Sequence, residues 1–231
     1  MSSSIVDEKA FSEHRVQTSF LANPERKALV WIAQRIPRWI SPDMLTFFGL
    51  FGMVWVGLSY YLAHMHWLFL VSASLGHIMN WAGDSLDGSL ARARNQQRPR
   101  FGYYFDHLID AFGIAFMLYG MAYSHLVKEY LVWPVLTMFF IAHINTYLVT
   151  NTRGLFKISY LRISTTEARV AMIILNTVLI FVNDIRIFGI HCTLVDIIAV
   201  FTSLFLLVAV IRSAYINLSA LDKEERAKWK S

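Results

Sequence analysis

Hydrophobic residues in this chain gather in long blocks separated by short polar segments. Met44–Ala63 is the cleanest block; Leu131–Val149 and Thr193–Ile211 are similar, the last interrupted by Asp196. Each approaches the roughly 20 apolar residues that a helix needs to span a bilayer. Trp67–Gly83, Ala111–Leu126 and Ala168–Val182 are shorter. Each completes a span only by taking in the polar residues beside it, as expected where those residues line a site instead of facing lipid. The pattern predicts an all-α, polytopic membrane protein with six transmembrane helices. Ahead of them, residues 8–38 alternate apolar positions (Phe11, Phe20, Leu29, Trp31, Ile36) with charged ones (Arg15, Arg26, Lys27, Arg35, Arg38). That alternation suits one or two amphipathic helices at the membrane interface. Asn23-Pro24 and Ser41-Pro42 both read as helix starts, the second opening the first span. Three segments result: an interfacial segment at 1–40, a six-helix transmembrane domain at 41–218, and a highly charged tail at 219–231.

Composition agrees. The chain is 56% hydrophobic and 16% charged, against roughly 25% charged for a soluble globular protein. Residues 1–28 carry acids and bases throughout, so they do not read as a signal peptide. The single cysteine, Cys192, excludes an intramolecular disulfide and any cysteine-cluster metal site. The net charge of +5 is not a nucleic-acid footprint. With six spans, 19 of the 21 Lys and Arg fall on one side, leaving only Lys128 and Arg186 on the other. That asymmetry puts both termini in the cytoplasm and the basic segments against anionic lipid.

Charge becomes informative again at residues 84–110. Asp84 and Asp87 share a helix face, and Gly88 and Ala91 continue it. Asp106 and Asp110 lie four apart on the next helix, with Gly102 four before Asp106. Two antiparallel helices joined by a short turn would direct all four carboxylates into one gap. Bare carboxylates so placed repel each other, and a divalent cation resolves the conflict. All-oxygen ligation suits Mg²⁺ or Mn²⁺. Gly88, Ala91 and Gly102 leave room for a bulky group to approach the backbone, and Arg92 offers a planar fork to phosphate. Together these features suggest phosphoryl-type transfer at a cleft open to the cytoplasm.

The stretch resembles the signature of the CDP-alcohol phosphotransferases, D-x-x-D-G-x-x-A-R followed by G-x-x-x-D-x-x-x-D. Asp84, Asp87, Gly88, Ala91, Arg92, Gly102, Asp106 and Asp110 all match it. Nine residues separate Arg92 from Gly102, one more than is usual. Ser41-Pro42-Asp43-Met44-Leu45-Thr46 resembles the family's P-N-x-x-T start of the first span, with Asp43 where Asn is common. The resemblance implies a homodimeric integral membrane enzyme, in the inner membrane if the source is prokaryotic. A CDP-linked donor and an alcohol acceptor, one of them a lipid, would meet there and release CMP. It places the nucleotide over Gly88, Ala91, Arg92 and Gly102. The metal falls to Asp84, Asp87 and Asp106 with Asp110, and Asp110 is the implied general base.

The acceptor is less defined. In this family the start of the fifth span often faces the acceptor, and here it holds Glu167 and Arg169, with Arg153 and Lys157 just before it. Those four are the candidate acceptor residues. CDP-diacylglycerol as donor is the leading expectation, with the acceptor alcohol left open; Arg169 would suit one that carries a phosphate. Phe105-Asp106-His107 and Thr166-Glu167 also resemble the aminoalcohol branch, which pairs CDP-choline or CDP-ethanolamine with diacylglycerol. A cation transporter built on the acidic cluster is the alternative from another class. It would require polar residues through the whole membrane depth, whereas Ala111–Ala122 and Trp67–Leu75 are oily. If Asp110 is the base, Asp110→Asn abolishes turnover while metal and nucleotide binding persist; full activity in that variant removes Asp110 from the role.

Overall fold

The computed structural model describes residues 22–153, 165–182, 184–187 and 190–229. Among them are seven helices: α1 (Ala22–Ala33), α2 (Pro42–Leu62), α3 (Leu68–Ala93), α4 (Pro99–Ala122), α5 (Glu129–Arg153), α6 (Thr165–Phe181) and α7 (Leu194–Lys228). A short antiparallel hairpin, β1 (Asp184–Ile187) and β2 (Ile190–Thr193), joins α6 to α7, with Asp184 opposite Thr193. The apolar blocks gave no sign of this hairpin, whose strands hold only four residues each.

Among the described residues, four helices, α2, α4, α5 and α7, are long and apolar enough to cross a membrane. The protein is therefore an all-helical integral membrane protein apart from the hairpin. Two of the expected spans look different as helices. The last ten residues of α3 carry Asp84, Asp87 and Arg92, which lower its hydropathy. Helix α6 has 17 residues, slightly short of a full crossing. Helix α7 runs unbroken for 35 residues from its apolar start into the charged tail.

The helix starts follow the sequence signals. Ser41 caps α2 by accepting a hydrogen bond from the Met44 amide at 3.2 Å, with Pro42 at the first helical position. Thr193 and Asp196 form a reciprocal capping box at α7, and Asp196, almost fully buried, also accepts from the Lys128 amide at 2.7 Å. That bond ties the start of α5 to the start of α7. Helix α1 is amphipathic: Leu29 and Ala33 are buried while Val30 and Trp31 are exposed.

Helix α2 is the centre of the packing. It lies against both α3 and α4, which make little direct contact with each other; α6 packs on α3, α5 on α4, and α7 on α5. Glycines allow the closest approaches. A Cβ on Gly83 would lie 2.5 Å from the Gly49 nitrogen and the Leu45 carbonyl oxygen, and one on Gly120 would overlap the Gly57 carbonyl. Small residues at such crossings let backbones pack without side chains between them. The apolar core fills the half of the bundle away from the acidic stretch, around Met53, Val56, Tyr60, Leu70, Ala73, Met117, Leu118, Val132, Leu179 and Val195. Exposed Phe51, Leu58, Phe201, Leu204 and Val208 give the outer surface an apolar character suited to lipid.

Gly120→Ala is expected to lower the thermal unfolding midpoint in detergent, since overpacking costs about 1–3 kcal/mol or more. Gly102→Ala, where an added Cβ meets nothing within 4 Å, is the control that should leave the midpoint unchanged.

Candidate active site

Helix geometry delivers the carboxylates to one end of the bundle. Asp84 and Asp87 lie in the last ten residues of α3, and Asp106 and Asp110 in the first half of α4. The turn between these helices is tight: Asn95 adopts a positive φ of 55°, a conformation that Asn tolerates better than most residues. Helix α4 begins at Pro99, three residues before Gly102.

A pocket opens between α3, α4 and the start of α2. Its wall includes Asp87, Gly88 and Ala91 from α3, Gly102, Phe105 and Asp106 from α4, and Pro42, Asp43 and Thr46 from α2. Its enclosed part is about 70 Å³, so a nucleotide-sized ligand must rest across its open mouth. A larger cavity of about 580 Å³ lies at the opposite end of the bundle, lined by residues including Tyr61, Tyr123, Lys128 and Asp196. It is remote from the acidic stretch.

Asp87 is the most deeply set carboxylate at the pocket, 8% exposed. Thr46 donates a 2.7 Å hydrogen bond to it, and the Gly88 amide donates another. Asp84 and Asp106 lie within electrostatic reach of Asp87, so three of the four signature carboxylates share one field. Asp110 lies within similar reach of Tyr147 on α5. Asp84 accepts a 2.8 Å ion pair from Arg169 Nη2. Arg169 also donates from Nε to Asn80 Oδ1 at 2.7 Å, so its recorded bonds run to α3. Asn80 is fixed in turn by donating to the Gly49 carbonyl at 3.0 Å.

The expected nucleotide residues divide. Gly88, Ala91 and Gly102 line the pocket, whereas Arg92 is not part of the lining and folds back beside Gly88, donating to Ser89 Oγ at 3.1 Å. Arg98 takes a place at the pocket instead. It pairs with Asp43 across the rim and lies over the Phe101 ring at 4.2 Å. Arg94 grips the backbone carbonyls of Ile36, Pro37 and Ile40 at 2.6–3.0 Å, clamping the segment before α2 onto the end of α3. Of the expected acceptor residues, Glu167 and Arg169 sit in the first turns of α6. Lys157 and the Arg153 side chain lie outside the described residues.

The donor chemistry fits a hard divalent cation, because the cluster offers only carboxylate oxygens. Among the described residues, however, no three His, Cys, Asp or Glu side chains are gathered closely enough to hold one ion. Thr46 and Arg169 hold Asp87 and Asp84 in place, and both were outside the sequence-predicted metal set. Thr46 ends the Pro42–Thr46 motif that opens the first span, and that was the available signal for it. The link between Arg169 and Asp84, 85 positions apart, left no trace in the spacing.

Comparison with known proteins places the same stretch in context. A family model for CDP-alcohol phosphatidyltransferase matches residues 39–215. Cholinephosphotransferase 1 of Danio rerio is 31% identical over 189 residues, covering 74% of this chain and 47% of that protein. The Rattus norvegicus and Homo sapiens proteins of the same name are each 28% identical over 182 residues, covering 72% of this chain and 44% and 43% of theirs. The chain thus spans about half the length of the curated relatives it matches.

Thr46→Val removes a donor from a buried carboxylate. Hydrogen bonds to charged groups contribute about 1.5–3 kcal/mol, so the variant should lose thermal stability by a comparable amount. Thr46→Ser, which restores the hydroxyl, should recover most of it.

Proposed function

Because the chain belongs to the CDP-alcohol phosphatidyltransferase family, we propose that it acts as an aminoalcohol-type phosphotransferase. It would move phosphocholine or a close analogue from a CDP-linked donor to the free hydroxyl of diacylglycerol, releasing CMP. The observation that carries this choice is the identity of about 30% with cholinephosphotransferases over some three quarters of the chain. It replaces the expectation of CDP-diacylglycerol as donor. The site supports the change: Arg169, the expected holder of an acceptor phosphate, is bonded to Asp84, and diacylglycerol carries no phosphate to bind.

In this reading Asp84, Asp87, Asp106 and Asp110 would hold one or two Mg²⁺ or Mn²⁺ ions. The bound metal would neutralise charge developing on the donor diphosphate. The protein's own residues do the rest. Gly88, Ala91 and Gly102 form the surface on which the nucleotide lies, and Arg92 and Arg98 flank its phosphates. Asp110 accepts the proton of the acceptor hydroxyl as it attacks the phosphorus distal to cytidine. Glu167 lies on the acceptor side, with Arg153 and Lys157 on the same approach. Helices α3 and α6 join the other four to make six crossings, with both termini cytoplasmic, and the unit works as a homodimer. The transporter alternative has no comparable support.

The test is CMP release by purified protein in mixed micelles with Mg²⁺ or Mn²⁺. CDP-choline or CDP-ethanolamine with diacylglycerol should yield CMP, and chelation should stop it. Release only from CDP-diacylglycerol with serine, inositol, inositol phosphate or glycerol 3-phosphate would overturn the donor assignment. No release from any pair would overturn the enzyme reading.

A further inference from the structure

Arg169 is a tightly held cation beside the signature. It starts on α6, and its side chain is only 13% exposed. Asn80 Oδ1 accepts from Nε at 2.7 Å, and Asp84 Oδ2 accepts from Nη2 at 2.8 Å. Asn80 cannot swing freely, because its amide is committed to the Gly49 carbonyl where α2 and α3 cross. The guanidinium is therefore held in a fixed plane by two acceptors one helical turn apart on α3. Asp87, Gly88 and Ala91 continue that same face toward the pocket.

The third nitrogen is different. Arg169 Nη1 is buried from solvent and has no hydrogen-bond partner among the described residues. Guanidinium stays charged at any working pH, and a buried charged donor left unpaired is costly. Two of its three nitrogens fix the plane in which the third lies. This is how a fork is prepared for an oxygen that arrives with the substrate.

We propose that Arg169 is a catalytic residue whose Nη1 donates a hydrogen bond to a non-bridging oxygen of the phosphorus under attack. The proposal rests on the phosphotransfer reading above. In the transfer, the bond from the acceptor oxygen to phosphorus forms and the bond from phosphorus to the CMP oxygen breaks. The acceptor proton goes to Asp110, CMP leaves with the bonding pair, and Arg169 remains protonated throughout. Negative charge on the phosphoryl oxygens is met by a donor already in position. Asn80 is the positioning residue, since it touches the guanidinium and not the substrate.

A donor with sulfur in place of one non-bridging oxygen on the phosphorus distal to cytidine reads this contact directly. Its two diastereomers are assayed separately with the wild type, Arg169→Lys and Arg169→Gln. The wild type should prefer one diastereomer in both Mg²⁺ and the more thiophilic Cd²⁺, because a preference due to nitrogen donation does not reverse with the metal. Arg169→Gln should reduce kcat about 100-fold or more, as loss of one such donor does elsewhere. Its diastereomer ratio should fall toward unity while KM changes little. Arg169→Lys keeps a charge beside Asp84 and guards against simple misfolding; it too should lose selectivity, with CMP binding intact. An unchanged ratio in both variants, or a wild-type preference that inverts with Cd²⁺, overturns the proposal and leaves the phosphotransfer reading standing. A wild type that releases no CMP overturns both.

Discussion

Everything at this site depends on how closely α2 passes its two neighbours. Backbone meets backbone where Gly83 faces Gly49 and where Gly120 faces Gly57. A single methyl group at either crossing would force the helices apart. Because α3 and α4 barely touch each other, their separation is set by α2 between them and by the short turn that joins them. That separation is the width of the pocket. The same helix then supplies Thr46 to fix Asp87 and Asp43 to pair with Arg98. One element both spaces the two carboxylate pairs and supports one of them.

The interior is divided along the bundle axis. Away from the site it is apolar, threaded by a short polar chain in which Tyr60 donates to Asn176 Oδ1 at 2.9 Å and Asn176 donates to Ser74 at 3.1 Å. His77 meets the Tyr60 hydroxyl at 3.3 Å. These bonds join α2, α3 and α6. Interhelical hydrogen bonds in membranes average only about 0.6 kcal/mol, so their value lies in fixing register as much as in strength. Register matters here, because it sets the height at which Arg169 of α6 meets Asn80 and Asp84 of α3. Near the site the polar groups become charged, and nearly every one with a resolved position has a defined partner.

Much of this was legible in the sequence, for identifiable reasons. The spacing of Asp84, Asp87, Gly88 and Ala91 is a statement about one helix face, and helix geometry carried it into the structure unchanged. Ser41-Pro42 announced the start of α2 because capping is local chemistry. What escaped was non-local. Arg94 and Arg98 read as topology charges, yet one clamps the α1–α2 connection and the other reaches the pocket rim. The partnership of Arg169 with Asp84 depends on how α6 docks on α3, which no local pattern encodes. The hairpin between α6 and α7 was hidden because four-residue strands are too short to show a period.

The length of helix α7 has a consequence. At 1.5 Å per residue, its 35 residues extend about 50 Å, against a hydrocarbon core of roughly 30 Å. Its far end carries Asp222 and Arg226, bonded to each other at 2.7 Å. Its near end is pinned through Asp196 to the start of α5. The roughly 20 Å by which α7 exceeds the hydrocarbon core carries its charged tip out of the apolar layer and into the headgroups and water.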